Sequence, residues 1–362
     1  MTRRPATWLS AALACAFVPA ALLLAEEKAK EVWTDSGDPT LPPDFKIQGE
    51  YAGGSGAAKV GVQVIALGKG AFQAVVYPGG LPGDGWTGTG KSLMAGTLDG
   101  DKADFKTAEG ARKYLAGPSA EFSATRKFPP EGHQTFSATV AGGTMTLMTL
   151  TPAGGAAVAL PKTVRKSPSM GAKPPEGAIV LFDGKSKTEW KGGRVDETKG
   201  FLNTDGNDIV TQRKFGNYTM HMEFLLPYRP DARGQGRGNS GFYQVDHYEV
   251  QILDSFGLDG LNNECGGVYT KAAPKVNMCL PPLTWQTYDV DFTNAVAGAD
   301  GKKTKNAVMT LRHNGVLIHE ALEINGVTGG SRGEPEGTPG PIKLQGHGNP
   351  LQFRNIWIVA KP

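Results

Sequence analysis

Little in this chain would build a helical or metal-centred protein. Only 3 of its 362 residues are cysteine and 6 are histidine. No HExxH, CxxC or Walker pattern occurs, so zinc and nucleotide chemistry have no motif behind them. Charge is also sparse and balanced, with 20% charged residues and a formal net of +3. Nucleic acid and anionic membranes need clustered positive charge, so no nucleic acid partner is expected. After residue 25 no apolar run approaches the roughly 20 residues of a membrane helix, which leaves no membrane span in the mature chain. What the chain has in excess is turn residues. Its 50 glycines and 25 prolines are too many for helices and match an all-β architecture in which each short strand needs a turn.

Residues 1–25 read as a secretory signal peptide. Arg3 and Arg4 form the basic start, residues 8–24 are apolar apart from small residues and Pro19, and Ala25 before Glu26-Glu27 is the cleavage point, with Val18-Pro19-Ala20 as a second choice. Cys15 is a weak lipobox candidate, because Ala12 sits where a bulky aliphatic is usual. The expected localisation is exported: periplasmic, cell-surface or secreted. Without the leader, 36 basic residues face 35 acidic ones. Cys265 and Cys279 then remain, and a disulfide between them or two free buried thiols are both open.

Residues 26–43 are charged and proline-bearing and read as a linker. From residue 44 the pattern turns strand-like: residues 59–67 (KVGVQVIAL), 71–77 (AFQAVVY), 102–108, 121–128 (EFSATRKF), 135–140 and 144–150 alternate or are rich in β-formers, with glycine turns between. Residues 44–162 therefore form a smaller β-sandwich or barrel, an accessory domain, with Trp86 in a glycine-rich insertion closing one end. Residues 163–176 are a basic, proline-containing linker. Residues 177–362 hold about nine further strands by pattern, implying a two-sheet jelly-roll sandwich.

Residues 238–255 (GNSGFYQVDHYEVQILDS) organise that second domain. Read as one extended strand, its odd positions place Tyr243, His247, Glu249 and Gln251 on one face. A polar row opposite an apolar face suits the wall of a groove that holds a sugar. The run from Gly236 to Gly241 matches G-x-G-x-x-G literally, but it precedes a strand and joins no strand to a helix, so the dinucleotide reading fails.

At FDG, GNSGFYQVDHYEVQILDS, CGGVY, WQTYDV, HNGV and PIKLQGHGNPLQFRNIWI, residues 177–361 resemble the 3-keto-disaccharide hydrolase family, formerly a domain of unknown function numbered 1080. The resemblance implies a concanavalin-type or laminin-G-like sandwich acting on sugars oxidised at C3. One departure stands out. The family usually carries Asp before the histidine of QDHG, whereas this chain reads Gln345-Gly346-His347-Gly348, so another acid substitutes or the activity is altered.

Standard glycosidases need two carboxylates flanking the scissile bond. Here Glu249 is followed on its face by Gln251 and Leu253, so the second carboxylate is missing. A 3-keto sugar needs less, because its carbonyl acidifies the C2 proton. One base removes that proton, hydrogen-bond donors hold the enolate, and the C1 substituent leaves by elimination before water adds. Glu249 and His347 are the candidate base and acid. Asn239, Tyr243, His247, Gln251, Asp254, Lys343, Gln345 and Arg354 are the candidate substrate-binding residues. His221, His313 and His319 lie on separate strands without ligand spacing and read as structural. No cofactor is predicted and no metal ligands are assigned, though a Ca²⁺ held by loop oxygens stays open. The expected function is therefore cleavage of 3-keto glycosides, with a carbohydrate substrate as partner. The alternative is a non-catalytic, lectin-like carbohydrate-binding module, and a surface scaffold is a third reading.

Overall fold

The computed structural model describes residues 31–151 and 155–362; the leader expected at 1–25, with Cys15, lies outside the described residues. Eight antiparallel strands close a barrel in the order Gly49–Gly53, Ala157–Thr163, Thr144–Thr149, Phe136–Ala141, Lys102–Thr107, Ser92–Asp99, Ala71–Pro78 and Val60–Ala66. VGVQVIA and AFQAVVY are apolar on both parities apart from the buried Gln63 and Gln73, because both faces are buried. Val62, Val64 and Ala66 point into the barrel with Phe72, Met94, Phe105 and Leu147. Ile65, Val75, Tyr77 and Leu93 point the other way, into the core of the second domain. Each such side chain contributes roughly 1.5–3 kcal/mol of burial. Trp86 packs edge-on against Tyr77, with ring centroids 5.1 Å apart.

The strand expected over 121–128 shrinks to Phe122–Ser123, paired in parallel with Lys113–Tyr114. Its backbone is claimed by a barrel side chain instead of a barrel strand. The Gln73 amide donates to the Phe122 carbonyl at 2.8 Å and accepts from the Ala124 amide.

Residues 177–362 form the sandwich. Its larger sheet runs Arg194–Asp196, Phe201–Asn203, Gln352–Lys361, Asn217–Leu225, Trp285–Thr293, Ala307–His313 and Val316–Ile324, with Ile179–Phe182 also paired to Gln352–Lys361. The smaller sheet runs Trp190–Lys191, Ile209–Thr211, Lys343–Leu344, Ser240–Gln244 and Tyr248–Ile252. Period-2 alternation builds the core between them. Tyr218, Met220, Met222 and Phe224 from one sheet meet Phe242, Val250, Ile252 and Leu344 from the other.

The two connections read as linkers are docked chain where they are described. Trp33 exchanges backbone hydrogen bonds with Tyr228 at 3.1 and 2.8 Å, and Trp33 is itself buried. Residues 167–172 lie as a strap over the outer face of the larger sheet. Ser167 and Ser169 bond Thr287 and Asp289, and the Gly171 amide donates to Glu223 at 2.6 Å. Both remaining cysteines are free and buried. Among the described residues no helix is long and apolar enough to cross a membrane.

Candidate active site

The stretch 238–255 is a hairpin and not a single strand. Ser240–Gln244 pairs antiparallel with Tyr248–Ile252. The chain reverses at Val245 and Asp246, both at positive φ (45° and 54°), with the His247 amide donating to the Gln244 carbonyl at 2.9 Å. Asn or Gly is usual at such positions, so Val-Asp hid the turn. Tyr243 lies opposite Glu249 and Gly241 opposite Gln251. Directly paired residues share a face, so Tyr243, Glu249 and Gln251 still stand together on the side of the smaller sheet away from the core.

Over this face lies a cavity of about 230 Å³ lined by Gln235, Asn239, Tyr243, Glu249, Gln251, Tyr269, Gly329, Gly330, Gln345 and His347. It is smaller than the roughly 300–1,000 Å³ of sites for drug-sized ligands, which suits one small polar ring. The segment around Tyr269 forms one wall because its amide donates to the Glu249 carbonyl at 3.0 Å. The segment before Gly329 and Gly330 forms another, since Thr328 Oγ1 accepts from the Glu249 amide at 2.9 Å.

Glu249 is the only carboxylate among the residues lining this cavity. Its side chain lies across Gly241, where a Cβ would come within 2.4 Å of Oε1; a side chain at 241 would displace the carboxyl. Oε2 accepts from the Tyr243 hydroxyl at 3.0 Å. Burial pushes the Glu249 pKa up to about 7, against the opposing hydrogen bond from Tyr243 and the charge of Lys343, while the Asp208 charge pushes it further up. A carboxyl that titrates near neutrality can take and return a proton at working pH.

Of the residues expected from the sequence, Glu249, His347, Asn239, Tyr243, Gln251 and Gln345 line the cavity, with the His347 residue exposed at its edge. Four others are placed elsewhere. Lys343 is buried beneath Tyr243, its Nζ 3.9 Å from the ring centroid, 2.6 Å from Asp246 Oδ1 and 2.6 Å from the Gly330 carbonyl. Its role toward the ligand is thus indirect. His247 sits in the hairpin turn and its Nε2 donates to the Glu334 carbonyl at 2.9 Å. Asp254 pairs with Arg237 at 2.6 Å, and Arg237 donates to the Ala66 carbonyl of the barrel at 3.1 Å. That pair fastens barrel to sandwich. Arg354 is on the larger sheet, 2.6 Å from Glu223 and over the Trp285 ring. Parity placed these charges on a face but said nothing of which partner would claim them.

Sequence reasoning missed Gln235, Tyr269, Gly329 and Gly330. All four lie outside the strands and carry no periodic signal; only Tyr269, inside the CGGVY landmark, left a trace. Gly346 now has a physical reason. A Cβ there would fall 2.0 Å from the Asn207 backbone, and the Gly346 amide donates to Asp208 Oδ1 at 2.9 Å. A neighbouring acid therefore lies beside the position where the family's Asp is expected. Among the described residues no group of three or more His, Cys, Asp or Glu is arranged to hold a metal ion.

Residues 177–359 match the family described as 3-keto-alpha-glucoside-1,2-lyase-like domain. A provisionally assigned glycosyl hydrolase from Parabacteroides distasonis ATCC 8503 is 32% identical, with a TM-score of 0.47 over 52% of this chain and 85% of that one. A second from the same organism is 20% identical, with a TM-score of 0.39 over 52% of this chain and 95% of that one. No curated protein matches the chain.

Proposed function

The chain belongs to the 3-keto-alpha-glucoside-1,2-lyase-like domain family, and from that premise we propose that the cavity binds a glycoside oxidised at C3 and expels its C1 substituent by elimination. Family membership supports a glycoside-related function. The finer reading rests above all on Glu249, a lone buried carboxylate titrating near 7 in a cavity otherwise lined by neutral hydrogen-bonding groups, His347 and glycine backbone.

In this reading the Glu249 carboxylate removes the proton from C2, which the C3 ketone acidifies. The electron pair of the C2–H bond forms the enolate. It then returns to form the C1–C2 double bond as the C1–O bond breaks, and His347 supplies the proton to the departing oxygen. Water adding across the enone completes net hydrolysis. A retaining or inverting glycosidase would need a second carboxylate at the scissile bond, and the cavity lining offers none. The protein is exported in the same proposal, with residues 1–25 removed.

The test is an assay of aglycone release from a 3-keto glucoside and from the same glucoside unoxidised. Release from the ketone alone is expected, rising with pH through about 7 as Glu249 deprotonates. Equal release from both sugars would sink the elimination mechanism. The rival, a non-catalytic carbohydrate-binding module, draws on Gly346 standing in for the family's Asp; it predicts saturable binding of the ketone with no release.

A further inference from the structure

The orientation of the amides around the cavity can be worked outward from the backbone. Gln235 Nε2 donates to the Asn263 carbonyl at 2.8 Å. A backbone carbonyl only accepts, so this contact fixes which end of the Gln235 amide is nitrogen. Gln235 Oε1 then faces Asn239 and Gln251 and accepts from both, from Asn239 Nδ2 at 3.1 Å and from Gln251 Nε2 at 2.9 Å. Both of those amides have their nitrogens turned toward Gln235. Their oxygens, Asn239 Oδ1 and Gln251 Oε1, are left without a protein partner although the two residues are 2% and 1% exposed. On the facing side, the Tyr243 hydroxyl proton is shared between acceptors only, Glu249 Oε2 and the Gly329 carbonyl. Gln345 Nε2 must therefore donate to that hydroxyl, at 3.3 Å, and Gln345 Oε1 is again unpartnered.

Three buried carbonyl oxygens without protein partners, on residues that all line one cavity, are a costly arrangement, and small turns of these amides would let a ligand's O–H groups relieve it. We infer that Gln235 is a positioning residue that sets the polarity of the cavity, turning Asn239 and Gln251 into an acceptor wall that reads ring hydroxyls of a sugar. This inference rests on the glycoside reading above and adds the pose. The C3 ketone, which can only accept, faces away from Asn239 and Gln251, and the hydroxyls of the same ring face toward them. Gln235 is exposed in a short turn over Gly234–Gly236, so it can be replaced without opening the core.

The test is titration calorimetry of the full chain with glucose, methyl glucoside and a set of glucosides in which each hydroxyl in turn is replaced by fluorine, which cannot donate. In the unmodified protein one or two of these replacements weaken binding roughly 10- to 100-fold. In Gln235→Ala the Asn239 amide is freed to turn while Gln251 Nε2 keeps a 3.4 Å contact to the Asn263 carbonyl, so the penalty at the hydroxyl read by Asn239 falls below about threefold, and Gln251→Met loses the discrimination at the other hydroxyl. Thermal melts of both variants confirm folding. With a 3-keto glucoside, Gln235→Ala raises KM more than it lowers kcat, a split that general destabilisation would not produce. Undiminished discrimination at every hydroxyl in Gln235→Ala, an unmodified protein indifferent to every fluorine, or no binding by any member of the set overturns the inference. So does tighter binding of calcium chloride that displaces sugar, since an all-oxygen wall beside a carboxylate would then be a cation site. A protein that discriminates hydroxyls in this way but never cleaves the 3-keto glucoside refutes the elimination reading and leaves the acceptor wall standing.

Discussion

Two glutamates of the sandwich, Glu249 and Glu223, are 4% and 1% exposed and yet hold their protons in opposite ways. Burial pushes both carboxyls up. At Glu249 one hydroxyl and a lysine behind a ring are too little to offset it, and the pKa ends near 7. At Glu223 the opposition is stronger: His221, Asn355, Arg354 and the Gly171 amide together outweigh burial and bring the pKa down to about 2. Arg354 stands 2.6 Å away, Asn355 Nδ2 2.9 Å and the Gly171 amide 2.6 Å. Burial therefore supplies the capacity for a large shift, and the partner set decides its direction. One carboxyl is left able to exchange a proton near neutrality; the other is locked as an anion that staples the strap to the larger sheet.

The widest separation between the two is expected in turnover. Glu249→Gln lowers kcat/KM on a 3-keto glucoside by about 10²- to 10⁴-fold, the range of a lost general base. Glu223→Gln is expected to change it less than about threefold, and a comparable loss there would erase the distinction. Next comes Gly241→Ala, whose methyl group would meet Glu249 Oε1 at 2.4 Å. Shifting the carboxyl by that contact is expected to cost on the order of 100-fold in kcat, while overlap of the same Cβ with the Tyr243 ring at 2.7 Å lowers stability to urea by roughly 1–3 kcal/mol.

Stability moves the two sites in opposite senses. Glu249 has a folded pKa raised above its ordinary 4.5, so folding is penalised as pH rises from about 4.5 through 7. Glu249→Gln is then expected to stabilise the protein by about 3 kcal/mol at pH 8 and hardly at all at pH 4. Glu223 has a folded pKa depressed from 4.5 to about 2. Its contribution is complete above pH 4.5 and fades as pH falls toward 2, so Glu223→Gln costs about 3 kcal/mol at pH 7. Urea titrations at pH 4, 7 and 8 measure both. Equal signs for the two variants at neutral pH would refute the account. The smallest effect concerns Tyr243→Phe, which removes a hydrogen bond that lowers the Glu249 pKa. The rising limb of the pH–rate profile should then move to higher pH by up to about one unit, and a downward move would contradict the assignment.

Much of the candidate site could be read from the chain, for a reason that survives a wrong intermediate. Alternation over residues 238–255 predicts one strand, and the structure has a hairpin there. Its register pairs odd positions with odd ones, Tyr243 with Glu249 and Gly241 with Gln251, so the shared face is the same under either description. Only His247, caught in the turn, dropped out. Lys343 and Arg354 escape such a reading because a charge in a strand declares its face and not its counter-ion, and Asp254 because it lies past the strand end at Ile252, where Arg237 claims it. Gln235 was invisible because its role comes from a carbonyl at Asn263, 28 residues away in the chain.

The alternation of apolar residues, the glycine-rich turns and the landmarks from FDG to FRNIWI were enough on their own to establish an all-β chain with a sandwich carrying Tyr243, Glu249 and Gln251 on one face. Packing decided the rest. It laid Glu249 over Gly241, withheld counter-ions from it while granting them to Glu223, and docked the barrel and the strap onto the sandwich. Side-chain parity is a local property of an extended backbone, whereas a proton's affinity depends on every dipole and charge within a few ångströms, and those come from segments that only folding brings together.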